Sequence, residues 1–158
     1  MSKRGLFTYT TKIEPQKTVN EINEILASHG ANAVLIEYDK EGKIKAISFK
    51  VNTPSGERGI KLPCKPEPVY RILKQQNSEG KIPLRFVDEH QALRVSWRII
   101  LYWIKAQMAI LETEMVSMEQ IFLPYMIMQD NRTLYDNMLD SRFQITDGGD
   151  KNETKNPL

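Results

Sequence analysis

The chain has 158 residues, 41% hydrophobic and 27% charged, with a net charge of +2, a composition that excludes a fibrous or wholly disordered chain and reads as an ordinary soluble globular protein. Its single cysteine, Cys64, excludes an internal disulfide and a Cys-based zinc cluster. Charge is uneven: fifteen Lys/Arg against nine Asp/Glu give +6 over residues 1–86, and seven against eleven give −4 over residues 87–158, which suits a polyanion-binding first half or two halves that attract each other.

Near the start, Met1-Ser-Lys-Arg is followed by GLFTYTTKI in place of an apolar h-region, so no signal peptide is read and the cytoplasm is the expected compartment. Phe7–Ile13 alternates with period two and predicts a first strand, with Phe7, Tyr9, Thr11 and Ile13 on one face. Pro15 stops it. Thr18-Val-Asn-Glu21 has the form of a capping box that opens a short helix through Val19, Ile22, Ile25 and Leu26, with Gly30 just past its end. Strands follow at Ala33–Tyr38, Ile44–Asn52 and Arg58–Leu62, joined by Asp39–Lys43 and by a turn at Pro54-Ser-Gly56. Ile47, Phe49, Val51, Ile60 and Leu62 share the core-facing parity. Pro66 and Pro68 suit the first turn of a second helix running to about Gln76, with Val69, Ile72 and Leu73 inward.

Residues 77–88, with Gly80 and Pro83, read as a linker. Beyond it Arg94–Met115 holds both tryptophans, and a helical wheel leaves only a narrow polar arc of Arg94, Arg98, Tyr102, Lys105, Ala109 and Glu112. Such a helix must be covered by the rest of its own chain or by a second subunit, so a homo-oligomer is one reading. A membrane span is excluded by length, since the longest unbroken apolar run, Ile99–Ile104, is six residues against the roughly 20 that a bilayer requires. Ser117-Met-Glu-Gln120 is a second capping box, Pro124 limits the segment after it, and Asn131 opens a last short helix. From residue 144 the chain is polar, with paired glycines, and reads as a disordered tail.

The predicted fold class is therefore α+β. A small antiparallel sheet of about four strands, in β-α-β-β-β-α order and packed with helices over residues 1–76, precedes a long buried helix and helical hairpin, or a three-helix extension, over residues 89–143.

The two histidines, His29 and His90, stand in no metal-ligand spacing. Asp39, Glu41 and Lys43 mimic the acidic-x-Lys element of metal-dependent nucleases, but they fall in a hairpin connection where such residues are ordinary. No Gly-rich phosphate loop or nucleophile elbow is present. The sequence reads as non-enzymatic, with no cofactor, no metal site and no catalytic residue assigned.

Cationic residues point elsewhere. Lys45, Lys50, Arg58, Lys61 and Lys65 cluster in the strand region, and Lys12 joins them if the first strand forms; each could neutralise a phosphate. With the aromatics at core parity, the open sheet face suits phosphate contact and does not suit base stacking. The competing reading is a solvated sheet face on which lysines blunt an edge. Arg94, Arg98 and Lys105 form a second basic stripe, read as a solvent face. Met108, Met115, Met118, Met126 and Met128 are either core filling or an adaptable surface for a protein partner.

The stretches TVNEINEILASHGANAVLIEYDKEGKIKAISFKVNTPSGE and WRIILYWIKAQMAILETEMVSMEQIFLPYM, followed by TLYDNM, resemble a group of small proteins encoded in bacteriophage and prophage genomes, over most of residues 8–138. That group has no assigned activity. The resemblance implies a phage or mobile-element setting and a phage or host partner, and supplies no catalytic residues.

Overall fold

The computed structural model describes residues 4–144. The predicted tail lies outside the described residues apart from Gln144. Among the described residues the fold is α+β: a three-stranded antiparallel sheet and five α-helices.

The first helix, α1, spans Pro15–Ser28. Pro15 occupies its first turn, where a missing N–H costs nothing and a fixed φ is already helical. This start precedes the expected capping box, so Thr18 is an interior residue. Its fully buried hydroxyl accepts from the Arg98 guanidinium at 3.4 Å. Val19, Ile22 and Leu26 form the buried stripe, and Gly30, at φ +96°, takes the chain out of the helix.

Strands β1 (Ala31–Tyr38), β2 (Ile44–Thr53) and β3 (Gly56–Lys61) follow in spatial order 1-2-3. Register pairs Leu35 with Ser48 and Ser48 with Lys61 on the outer face, and Val34 with Phe49 and Phe49 with Ile60 on the core face. Ile47, Phe49, Val51, Ile60 and Leu62 are all buried, as their parity predicts. Two irregularities interrupt the β1–β2 ladder, one at Asn32 and one that leaves Lys45 unopposed.

The expected first strand does not form, which corrects the four-strand sheet and its leading β element. Residues 7–10 are turns, Thr8 has φ +66°, and the Tyr9 and Thr11 amides donate to the carbonyls of Leu6 and Thr8 at 3.0 and 2.9 Å. The Gln91 side-chain amide donates to the Tyr9 and Thr11 carbonyls at 2.7 and 2.9 Å. Backbone groups that a ladder would have satisfied are thus satisfied by turn hydrogen bonds and by the distant Gln91 side chain.

Helix α2 (Pro66–Ser78) buries Leu73, with Val69 half-buried, while Ile72 is exposed. Leu73, Ile82 and Ala92 form a small second core beneath Tyr9, whose ring meets Phe86 edge-on at 5.2 Å. Helix α3 (Glu89–Glu112) starts on an Asp88 cap that accepts from the Gln91 amide at 2.8 Å. Val95, Trp97, Leu101, Ile104 and Met108 pack into one core with α1 and the sheet. Most of its apolar arc is therefore covered by its own chain, while Ile110 near its C-terminal end and Met115 just past it stay exposed.

The Ser117–Gln120 capping box opens α4 (Met118–Phe122), as read from sequence. Pro124 then sits in a single 3₁₀ turn. Beyond it the chain joins the sheet edge. Met126 bridges to Ile60, the Ile127 amide donates to the Gly59 carbonyl at 2.8 Å, and Ile127 pairs back with Thr133. Asn131, at φ +66°, makes the turn of this small loop rather than starting a helix; α5 (Leu134–Asp140) begins three residues later on a Thr133–Asp136 capping box. Two short helices and an edge-pairing loop follow α3, so the region holds three α-helices and not a helical hairpin. No helix among the described residues is long and apolar enough to cross a membrane.

Candidate nucleic-acid interface

The hairpin register decides which cations meet. Thr53 pairs with Gly56 and Ser48 with Lys61, so continuing the ladder brings Lys45 level with the residues just after β3. The irregularity at Lys45 leaves it exposed between buried Ile44 and Ala46. Lys61 ends β3 on the outer face, and Lys65 is the residue on which α2 starts. All three line one cleft of about 340 Å³ together with Tyr125, Tyr135 and Asp136. None of the three has an ion-pair partner among the described residues.

The other predicted cations lie elsewhere. Lys50 stands on the outer sheet face, its ammonium 3.6 Å from Glu57. It borders a shallow depression that Lys61 shares with Ser48, Leu35 and Asn131. Arg58 pairs with Val51 and so falls on the opposite face from Lys50 and Lys61. Its guanidinium donates to the Ser55 carbonyl at 2.9 Å and hydroxyl at 3.3 Å. Nearby Glu119 is held below its ordinary pKa, first by the Thr53 hydroxyl, then by Ser55 and the charge of Arg58. Lys12 is exposed on the turn-rich segment before α1 and belongs to no strand. The sequence set is thus split: Lys45, Lys61 and Lys65 converge, Lys50 adjoins them, and Arg58 and Lys12 stand apart.

Two residues of the cleft were not anticipated. Tyr125 is fixed by an edge-on contact with Trp103 at 5.4 Å, and Tyr135, exposed on the first turn of α5, lies 5.8 Å from Phe143. The Thr133-x-x-Asp136 spacing, a capping pattern, is the signal that could have placed Tyr135. Asp136 is the one carboxylate of the cleft. It is engaged in that cap, accepting from the Thr133 amide at 3.4 Å while its own amide donates to the Thr133 hydroxyl at 3.2 Å. The cleft presents three ammonium groups against this one committed carboxylate.

The second basic stripe is divided: Lys105 is exposed beside the Tyr102 ring, as a solvent face requires, whereas the two arginines are engaged within the fold. Arg94 donates to Glu14 at 3.0 and 2.6 Å, and Arg98, 8% exposed, donates to Glu21 at 3.2 Å. Both tie α3 to α1 or its leading residue instead of facing solvent.

Other chemistry at these surfaces is structural. The Asp39 carboxylate accepts from the Glu41 and Lys43 amides, both at 2.9 Å, and so closes the β1–β2 turn. Burial pushes the Cys64 thiol up to about 12, which keeps it protonated and a poor nucleophile. Among the described residues no three His, Cys, Asp or Glu side chains converge as a metal site.

Fold and cleft together define a small α+β protein with a basic, tyrosine-flanked cleft beside its sheet. No family model, curated protein or solved structure matches the chain.

Proposed function

We propose that the protein is a non-enzymatic accessory protein of a phage or mobile element that associates with nucleic acid without sequence preference, through the cleft of Lys45, Lys61 and Lys65. The observation that carries this reading is the convergence of three unpaired lysines beside two tyrosines. Lysine ammonium groups act as point charges toward phosphates. The cleft has no Arg, Asn or Gln fork with which to read a base edge. The phage setting comes from the sequence resemblance alone. A partner-binding role for the Met-rich helices rests on exposed Met115 and Met128 alone and is less well supported, because Met108 and Met126 are buried in the core and Met118 packs against it.

Fluorescence anisotropy with single- and double-stranded oligonucleotides tests the proposal. Three phosphate contacts imply a slope of log K on log salt of about −2.1 for single strands to about −2.7 for duplexes, hence a roughly 20- to 40-fold loss of affinity between about 50 and 200 mM salt. Lys61→Glu with Lys65→Glu should abolish binding for all sequences alike, while Arg58→Glu should change it less than about twofold. No binding at low salt, or binding that discriminates between sequences, overturns the proposal.

A further inference from the structure

The sheet treats its two edges differently. The outer edge of β3 is occupied by the loop after Pro124, through the bridges of Met126 and Ile127. Strand β1 is the other edge, and no strand or bridge among the described residues pairs with its far side. It is eight residues long, Ala-Asn-Ala-Val-Leu-Ile-Glu-Tyr, without proline or lysine. Its Leu35 is 59% exposed and its Tyr38 52%. Edges of this kind are normally covered, charged or broken, because their unpaired N–H and C=O groups template pairing with another strand.

The direction of those groups follows from the ladder. The Leu62 amide donates to the Ile47 carbonyl, and the Asp39 amide donates to the Lys43 carbonyl. Odd residues of β2 therefore face β3, even ones face β1, and odd residues of β1 face β2. The backbone groups of Val34, Ile36 and Tyr38 are left pointing outward.

We propose that β1 is a self-pairing edge: two copies of this chain join β1 to β1 antiparallel about a two-fold axis at Leu35, making one continuous six-stranded sheet. A second copy is favoured as the occupant because the strand is complementary to itself in this register. Val34 meets Ile36 of the other copy as a hydrogen-bonded pair, which the outward backbone groups allow. Leu35 meets Leu35 on the outer face. Glu37 falls opposite Ala33, and the next strand in presents Lys50 opposite that same Ala33. Glu37 and Lys50 then stand two strand spacings apart, roughly 10 Å between backbones, with only a methyl group between them. Long side chains leaning over that methyl close the gap. The two-fold repeats the pair at both ends of the seam, and the Lys50 ammonium retains donors for it beyond its loose 3.6 Å approach to Glu57. A shift by two residues one way would set Glu37 against Leu35, opposing a carboxylate with an apolar side chain. A shift the other way would carry Glu37 past Ala33 and lose the lysine.

Sedimentation velocity over concentrations on the order of 1 to 100 µM, with hydrogen exchange at both ends of that range, tests the seam on the full chain without nucleic acid. The expected result is a concentration-dependent dimer in which the Val34, Ile36 and Tyr38 amides become protected, while the Ala33, Leu35 and Glu37 amides, already directed at β2, do not change. Glu37→Lys should weaken association at least about tenfold, and adding Lys50→Glu should restore it. Leu35→Lys, at an exposed position that leaves the monomer folded by circular dichroism, should give a monomer. A chain that stays monomeric throughout, a dimer insensitive to these substitutions, or protection of these amides only by a strand from a different protein overturns the proposal.

Discussion

Replacing Phe122 with alanine tests whether α4 is the anchor that fastens the C-terminal segment to the sheet. Phe122 is fully buried, and its ring meets Phe49 of β2 edge-on at 5.6 Å and Trp103 of α3 at 5.8 Å. Truncating a buried Phe to Ala costs about 3–5 kcal/mol. Two perpendicular aromatic pairs, each worth roughly 0.5–1.5 kcal/mol beyond area, place Phe122→Ala in the upper part of that range, near 4–5 kcal/mol. For a domain of this size each kcal/mol moves Tm by about 2–4 °C, so the midpoint should fall by roughly 8–20 °C.

The loss should also be uneven. The segment beyond Phe122 is held to β3 mainly by the Ile127 amide on Gly59, and internally by the Met128 amide on Arg132 and the Leu134 amide on Met126, at 2.8, 2.7 and 2.8 Å. These amides should lose exchange protection in the variant before those of Phe49 and Ile60 do. Leu123→Ala, next in sequence but half-exposed, is the control and should cost less than about 1 kcal/mol. A Phe122→Ala penalty below about 1 kcal/mol, or unchanged protection at Ile127 and Leu134, would refute the assignment of α4 as anchor.

Other expectations follow from the same packing. Glu21→Gln leaves the buried Arg98 guanidinium with little beyond Thr18, and urea denaturation should report a loss of roughly 1–2 kcal/mol, below the fully buried value because Glu21 is partly exposed. The pKa of His29 is raised by its hydrogen bond to Glu112 at 2.7 Å and next by the Ile25 carbonyl. The stabilisation is therefore complete below the ordinary imidazole range and lost as pH rises through the raised value. Glu112→Gln should flatten that slope in melts between about pH 6 and 8, by less than about 1 kcal/mol since Glu112 is largely exposed. Cys64, half-buried in the cleft wall with its thiol held protonated, should react slowly with alkylating agents in the native state and faster once urea unfolds the chain.

The core side of the sheet was legible because a strand buried on one face leaves a period-two pattern. Ile47, Phe49, Val51, Ile60 and Leu62 share one parity, and the Thr53–Gly56 turn fixes their register. The same rule misled at Phe7–Ile13. Alternation is necessary for a half-buried strand but says nothing about a free edge to pair with, and Gln91 supplies hydrogen bonds that no local pattern announces. At Thr18 two start signals competed three residues apart. Pro15 prevailed, and the buried environment then used the Thr18 hydroxyl for Arg98. The edge-pairing loop was hidden because IFLPYMIM carries helix-compatible residues on both sides of a proline, and its pairing with β3 is a long-range event.

Charged sites are harder to read, since lysines have no periodicity of their own and take their positions from the apolar frame. Still, part of the cleft was implicit in the register: if Ser48 opposes Lys61, then Lys45 comes level with the approach to Lys65. The same parity that turns Ile60 inward turns Arg58 away from Lys61, so Arg58 could have been separated from the set by counting. The Thr133-x-x-Asp136 spacing could have put Tyr135 on the first turn of a helix, but not in the cleft, because Tyr125 and Tyr135 arrive there on a segment whose contact with β3 was unforeseen.

The long apolar helix α3 raised a choice between cover by its own chain and cover by a second subunit, and the polar arc decides how that choice works out. Arg94 and Arg98, the residues that would have marked a solvent face, reach Glu14 and Glu21 and seat α1 across the helix. The sheet, α2 and α4 cover most of the remaining apolar arc, leaving Ile110 exposed. With α3 enclosed in this way, the helix has little left to offer a partner beyond its C-terminal end. Among the described residues, the surfaces that retain unused bonding capacity are the sheet's own: lysines without an ion-pair partner at one end of β3, and the outward backbone groups of β1, which no strand or bridge pairs. Those two surfaces start from opposite edges of the same three strands and approach each other across the outer face, where Leu35, Glu37 and Lys50 line one depression with Lys61.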